Sequence, residues 1–157
     1  MTASFLNLKS ALSDLSLSKR RVLVHASPVL DADALLESLL ATTSGFITPT
    51  FTPKSLLPLD YHPVHTKAEV SSLAQAFTPA TPADEAFGDF AERVRNHSKA
   101  KRSLHPVLSF AGIGTDALIN SQTLPEPYAP IAALAEEEGV ILLAGMDQRV
   151  NFSIHYG

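Results

Sequence analysis

The sequence contains no cysteine. That absence excludes a disulfide scaffold, a Cys-ligated zinc site and a thiol nucleophile. No apolar run approaches the roughly 18 residues of a membrane-spanning helix, and the N-terminus lacks a basic region followed by an apolar stretch. A cationic excess is missing too. Twelve Lys and Arg against sixteen Asp and Glu leave a net charge of −4, which gives no global pull toward nucleic acid or an anionic membrane. There is no Gly-rich phosphate loop, no G-x-S-x-G elbow and no His-Glu-x-x-His helix. These gaps argue against a nucleotide hydrolase, a serine hydrolase of the commonest fold and a zincin protease.

What is present suits a globular protein: 157 residues, 45% hydrophobic and 18% charged. A chain of this length buries roughly 70% of its unfolded surface and needs no metal or disulfide to fold. It is expected to be one soluble, cytoplasmic domain.

The order of elements points to a layered α/β fold. Leu8, Ala11, Leu12 and Leu15 recur at helical spacing between Phe5 and Leu17. Val22-Leu23-Val24 then reads as a buried strand. Asp31 is placed to cap a helix whose apolar face is Leu35, Leu36, Leu39 and Leu40, and Gly45 falls where a left-handed C-cap is expected. Phe46 to Phe51 reads as a second strand, which Pro49 confines to an edge or an early end. Thr52 to Thr66 is a proline-containing loop, long by ordinary priors and so a candidate functional segment. Thr66-Lys-Ala-Glu69 and Thr81-Pro-Ala-Asp84 both carry helix-start chemistry. Val107 to Ile113 predicts a strand, Thr115 to Ser121 a short helix, and Ile131 to Glu138 a helix stopped by Gly139. Val140 to Leu143 is apolar on both faces, as a central parallel strand would be. The expected architecture is a three-layer α/β fold with a mostly parallel or mixed central sheet flanked by helices.

Four sets of residues could carry chemistry. His62 and His65 could begin a metal site, although Pro63 prevents a helix from aligning them and solvent-facing loop histidines are the plainer reading. Arg93, Arg95, Lys99, Lys101 and Arg102 read either as a phosphate-binding patch or as a solvated helix end whose cations complement the helix dipole. His105 lies before a strand and reads as a hydrogen-bonded turn residue. Asp147 follows the apolar strand at its carboxyl end, where ligands collect in such sheets. Beyond it, Val150, Phe152, Ile154 and Tyr156 alternate with Asn151, Ser153 and His155 as in a half-buried strand. Helical spacing would also put Asn151 and His155 on one face, about 6 Å apart. A histidine beside polar partners can act as a general base.

Four segments occur in a telling order: RRVLVHAS, ITPTFTP, KRSLHPVLSFAGIG and LAEEEGVILLAGMDQRVNFSIHYG. Together they resemble the aminoglycoside 3-N-acetyltransferase family, over essentially the whole chain. Its members carry a VHASL-type strand end, an RSxHPxxS segment and an apolar strand followed by a D/N-x-x-T-x-LHxAE pattern. The resemblance implies direct transfer of an acetyl group from acetyl-CoA to an amine of a polycationic antibiotic, as in antibiotic resistance, with no metal. By position, it assigns His155 to proton removal from the amine. Asp147 and Asn151 would complete the catalytic side, and Ser27, Arg102, Ser103 and Ser109 would line the acetyl-CoA side. It implies small-molecule partners, no nucleic acid or membrane, and a possible homodimer. Where the family pattern reads HxAE, this sequence has His155-Tyr156-Gly157, and the loop after Ser27 is short. The resemblance thus predicts a single domain that is truncated at its C-terminus. The alternative expectation is a catalytically silent member that binds a CoA-like ligand or a partner subunit.

Overall fold

The structure, a computed structural model, describes residues 5–57 and 67–151 together with Ser153. Helix α1 (Phe5–Asp14) leads into strand β1 (Arg21–Ala26), helix α2 (Ala32–Thr42) and strand β2 (Gly45–Pro49). Short helices α3 (Pro53–Leu56) and α4 (Lys67–Leu73) follow, and a 3-10 turn at Glu85–Phe87 runs into helix α5 (Gly88–Arg95). The rest is β3 (Lys101–Arg102), β4 (Phe110–Ile113), α6 (Asp116–Ser121), α7 (Ala129–Glu136), β5 (Val140–Ala144) and a 3-10 turn at Gln148–Val150.

The five strands form one mixed sheet in the order β3-β4-β2-β1-β5. Strand β1 runs parallel to both β2 and β5, while β4 is antiparallel to β2 and to β3. Alternation along β1 feeds two layers. Val22 and Val24 pack with Leu35, Leu39, Phe90 and Val94 from α2 and α5. Leu23 packs on the opposite face with Ile47, Leu118, Ile131 and Leu134, beneath α6 and α7. A three-layer α/β fold with a mixed sheet follows directly. Among the described residues no helix is long and apolar enough to cross a membrane.

Several local expectations hold. The Asp31 carboxylate accepts the Ala34 N–H at 3.0 Å and caps α2. Helix α7 ends in a Schellman arrangement, in which Gly139 donates to the Leu134 carbonyl and Glu138 to that of Ala135. The left-handed residue there is Glu138, at φ 53°, rather than glycine.

Four expectations need correction. Gly45 does not cap α2; Thr43 does. Gly45 instead opens β2 at φ +155°, where a Cβ would lie 2.6 Å from the Gly114 carbonyl oxygen, so the residue permits a close backbone approach. Strand β2 lies inside the sheet rather than at an edge, and the other reading of Pro49 holds: it ends the strand early, paired with Phe110. Strand β5 is not central. Among the described residues it pairs with β1 alone, and Ile141 is 40% exposed. No residue of β5 is fully buried, so here an apolar run does not mark a strand covered on both faces.

The last correction concerns Thr81 to Asp84, where no α-helix begins. The Thr81 hydroxyl accepts the Thr78 N–H at 3.0 Å. The buried Asp84 carboxylate instead reaches across to α3, accepting the Lys54 and Ser55 N–H groups at 2.9 and 2.8 Å and the Ser55 hydroxyl at 2.8 Å. It therefore satisfies open donors at the start of a helix 30 residues earlier. Replacing it leaves part-buried backbone N–H groups without acceptors. Asp84→Ala is expected to lower stability by about 2 kcal/mol, and Asp84→Asn, which keeps one acceptor, by about half as much. Urea unfolding measures both; equal stability of Asp84→Ala and the parent would contradict this role.

Candidate functional site

The carboxyl ends of β1, β2 and β5 lie side by side, since these three strands are mutually parallel. In open α/β sheets this edge is where ligands bind. A cleft of about 260 Å³ opens there. Strand β1 contributes Val24, His25 and Ala26, and β2 contributes Thr48 and Pro49. Ala86 and Phe87, just before α5, form another wall, and Met146 and Val150 close it from the segment after β5. A more open depression of about 490 Å³ adjoins it, sharing Met146 and Val150 and adding Ser27, Gly145, Asp147 and Arg149. An apolar cleft thus lies beside a polar rim.

His25 is the residue that sequence reasoning passed over. It sits at the end of β1, opposite Leu143, and is only 5% exposed. Burial lowers its pKa from 6.5 to about 4, so the imidazole is neutral at pH 7. The available signal was a titratable residue embedded in an apolar strand, at the edge where sites form. Thr48, its polar neighbour in the cleft, directs its hydroxyl to the Val24 carbonyl at 3.0 Å.

The rim brings Ser27 and Asp147 together. The Ser27 N–H donates to Ala144 at 2.9 Å, tying the exit of β1 to the end of β5. Asp147 caps the turn that follows, accepting the Arg149 N–H at 2.8 Å, and its carboxylate also binds the Arg149 guanidinium at 2.5 Å. That partner holds the Asp147 carboxyl below its usual range. Asn151 is buried beside them. Its amide donates to Gln148 at 3.0 Å, and its side-chain oxygen accepts the Ser153 N–H and hydroxyl. Gln148–Val150 is helical, so the alternation starting at Val150 does not continue from a strand. His155, His62 and His65 lie outside the described residues.

Arg102, Ser103 and Ser109 form a separate inward-facing cluster. Arg102 donates to the Thr50 carbonyl at 2.7 Å, to Ser109 Oγ at 3.1 Å, and to the carbonyls of Pro79 and Thr81. Four of its five N–H groups thereby have partners among the described residues. Its guanidinium also lies 5.0 Å from the centre of the Phe77 ring, and burial lowers its pKa to about 10. Ser109 donates to the Thr50 carbonyl at 2.9 Å, and Ser103 Oγ accepts the Phe110 N–H at 2.8 Å. The rest of the basic stretch is largely paired, with Arg93 to Asp33, Arg95 to Glu92 and Lys101 to Asp116. Arg93, Arg95 and Lys101 thus face carboxylates, while Arg102 faces backbone carbonyls.

His105 is the hydrogen-bonded turn residue anticipated. Its Nδ1 accepts the Val107 and Leu108 N–H groups at 3.2 and 3.0 Å. Among the described residues no group of three His, Asp or Glu could hold a metal ion.

The buried neutral His25 generates a pH dependence with a definite sign. As pH falls, the unfolded chain protonates near 6.5 and the folded chain only near 4. His25 therefore withholds no stability above pH 6.5, and stability declines as pH drops toward 4. The full shift, discounted for partial solvent access, corresponds to about 2 kcal/mol between pH 7 and 4.5. Urea unfolding at those two pH values should show that loss, and His25→Gln should lose about 2 kcal/mol less. Identical pH dependence in the two proteins would contradict the assignment.

With this geometry in place, the chain can be set beside known proteins. A sequence search finds no match among curated proteins. The fold matches YokD protein from Bacillus subtilis with a TM-score of 0.85 at 22% identity, covering 99% of this chain and 65% of that one. It matches AAC-IIIb, solved as a binary complex with CoASH, with a TM-score of 0.79 at 20% identity, covering 99% and 64%. AAC-VIa bound to sisomicin gives 0.79 at 26% identity, again covering 99% and 64%. The chain thus spans slightly less than two thirds of these neighbours. The family model for aminoglycoside 3-N-acetyltransferase matches residues 18–157. The chain belongs to the aminoglycoside 3-N-acetyltransferase family.

Proposed function

We propose that residues 1–157 act as one α/β domain that binds acetyl-CoA at the joined carboxyl ends of β1, β2 and β5 and transfers the acetyl group to an amine of an aminoglycoside. The observation that carries this is the cleft itself. In a chain of this family, an apolar slot with a polar rim lies where the sheet collects ligands. The structural neighbours supply the ligand classes, since one was solved with CoASH and another with sisomicin.

In this reading the thioester carbon is attacked by the substrate amine. The C–S bond breaks, a C–N bond forms, and the amine proton passes through a base to the departing thiolate. His155 is assigned as that base. Asp147 holds a neighbouring substrate ammonium at the rim once it exchanges its Arg149 partner, and Asn151 supports the turn that carries it. Ser27 lines the cofactor side directly. Arg102 and Ser109 act on that side by fixing the backbone after β2 at Thr50, and Ser103 by fixing the start of β4 at Phe110.

The test is release of free CoA thiol from acetyl-CoA in the presence of sisomicin. The parent chain is expected to turn over, and His155→Ala to be slower by at least about a hundredfold. No thiol release above the enzyme-free rate, across several aminoglycosides, would overturn the proposal.

A further inference from the structure

The rim of the site carries an ion pair that is closed on itself. The Arg149 guanidinium spans both carboxylate oxygens of Asp147, with Nε at 3.2 and 2.9 Å and a terminal nitrogen at 2.5 Å. Among the described residues the Arg149 side chain has no other polar partner. That side chain is 90% exposed and the Asp147 side chain 54%, so an incoming ligand can reach both. The two share one depression with Ser27, just past the end of β1. An ion pair this exposed is screened by water and salt, and breaking it costs a ligand no more than about fivefold in affinity. The turn beneath does not depend on the pair, because the Asp147 carboxylate also accepts the Arg149 backbone N–H at 2.8 Å.

The two ligands of the proposed reaction carry opposite charges. Acetyl-CoA is polyanionic through its phosphates, and an aminoglycoside is polycationic. A phosphate can accept the planar Arg149 fork in place of the carboxylate. A substrate ammonium can take Asp147 in place of the guanidinium. Either ligand alone breaks the pair and leaves one of its charges without a partner. With both bound, the pair is broken once and each charge gains a new partner. We propose that Asp147 and Arg149 form an ion-pair exchange element, through which the donor and the acceptor each tighten the binding of the other. This rests on the reading above that both ligands bind at this edge of the sheet, and deepens it by giving Arg149 a part in recognising them. The coupling is reciprocal: CoA strengthens aminoglycoside binding by the same factor as the aminoglycoside strengthens CoA binding.

Calorimetric titration of the full chain with sisomicin, with and without saturating CoA, measures the coupling. Free CoA carries no acetyl group, so nothing turns over during the titration. The parent should bind sisomicin about two- to fivefold more tightly when CoA is present. Two variants separate exchange from a loss of structure, because each moves the two ligands in opposite directions. Arg149→Gln should bind sisomicin alone more tightly than the parent and CoA alone more weakly. Asp147→Asn should do the reverse, and in both variants the coupling should vanish. Two ligands that bind the parent without coupling, coupling that persists in Arg149→Gln, or variants that weaken both ligands alike would overturn this inference and leave acetyl transfer standing. Failure of the parent to bind CoA or sisomicin would instead overturn the reading on which it rests.

Discussion

The parallel pairing of β1 with both β2 and β5 is the constraint on which the rest of the structure depends. Residues 22–25 of β1 are buried, so this strand has no freedom to shift without exposing both hydrophobic layers. Its register with β5 matches Val22 to Val140 and Ala26 to Ala144, and its register with β2 matches Arg21 to Gly45. Three strands that start level also end level. Their carboxyl ends therefore form one shelf, and the cleft, the rim and His25 all sit on it.

The wall opposite that shelf comes from the segment that leads into α5. Polar contacts help to hold it. Arg102 grips the Pro79 and Thr81 carbonyls, Arg95 those of Pro79 and Ala80, and Glu92 accepts the Ala83 N–H at 2.8 Å. Asp84 then locks onto α3, and Phe51 packs against Phe87 with ring centres 5.1 Å apart. These contacts deliver Ala86 and Phe87 to the cleft. Arg95 and Arg102 matter here as scaffolding, since their guanidinium groups tie together carbonyls from Thr50 to Thr81.

What the sequence made legible is what neighbouring residues decide. Val22 to Val24, the Asp31 cap, the 116–121 helix and the end of α7 depend on local periodicity and capping, and each appears as expected. The joined RRVLVHAS, RSLHP and VILLAG segments pointed to the family. Features decided by partners far along the chain were not legible. Asp84 has the chemistry of a local capping box yet caps a helix 30 residues away. Gly45 looks like a helix stop, but the approach of Gly114 explains it. Val140 to Leu143 is apolar enough for a central strand, yet strand order depends on which segments compete for each edge. His25 was hidden because its importance comes from what converges on it: Pro49, Phe87 and Met146 arrive from three other segments.

The central claim is that this shelf is where the acyl-CoA binds. Amide hydrogen exchange on the full chain, with and without saturating acetyl-CoA, tests it most directly. The account predicts slowed exchange in residues 25–30 and 145–151 and around Phe87, with little change along α1 and α6. Protection confined to α1, α6 or the exposed edge of β5, or no protection anywhere at saturating ligand, would contradict it.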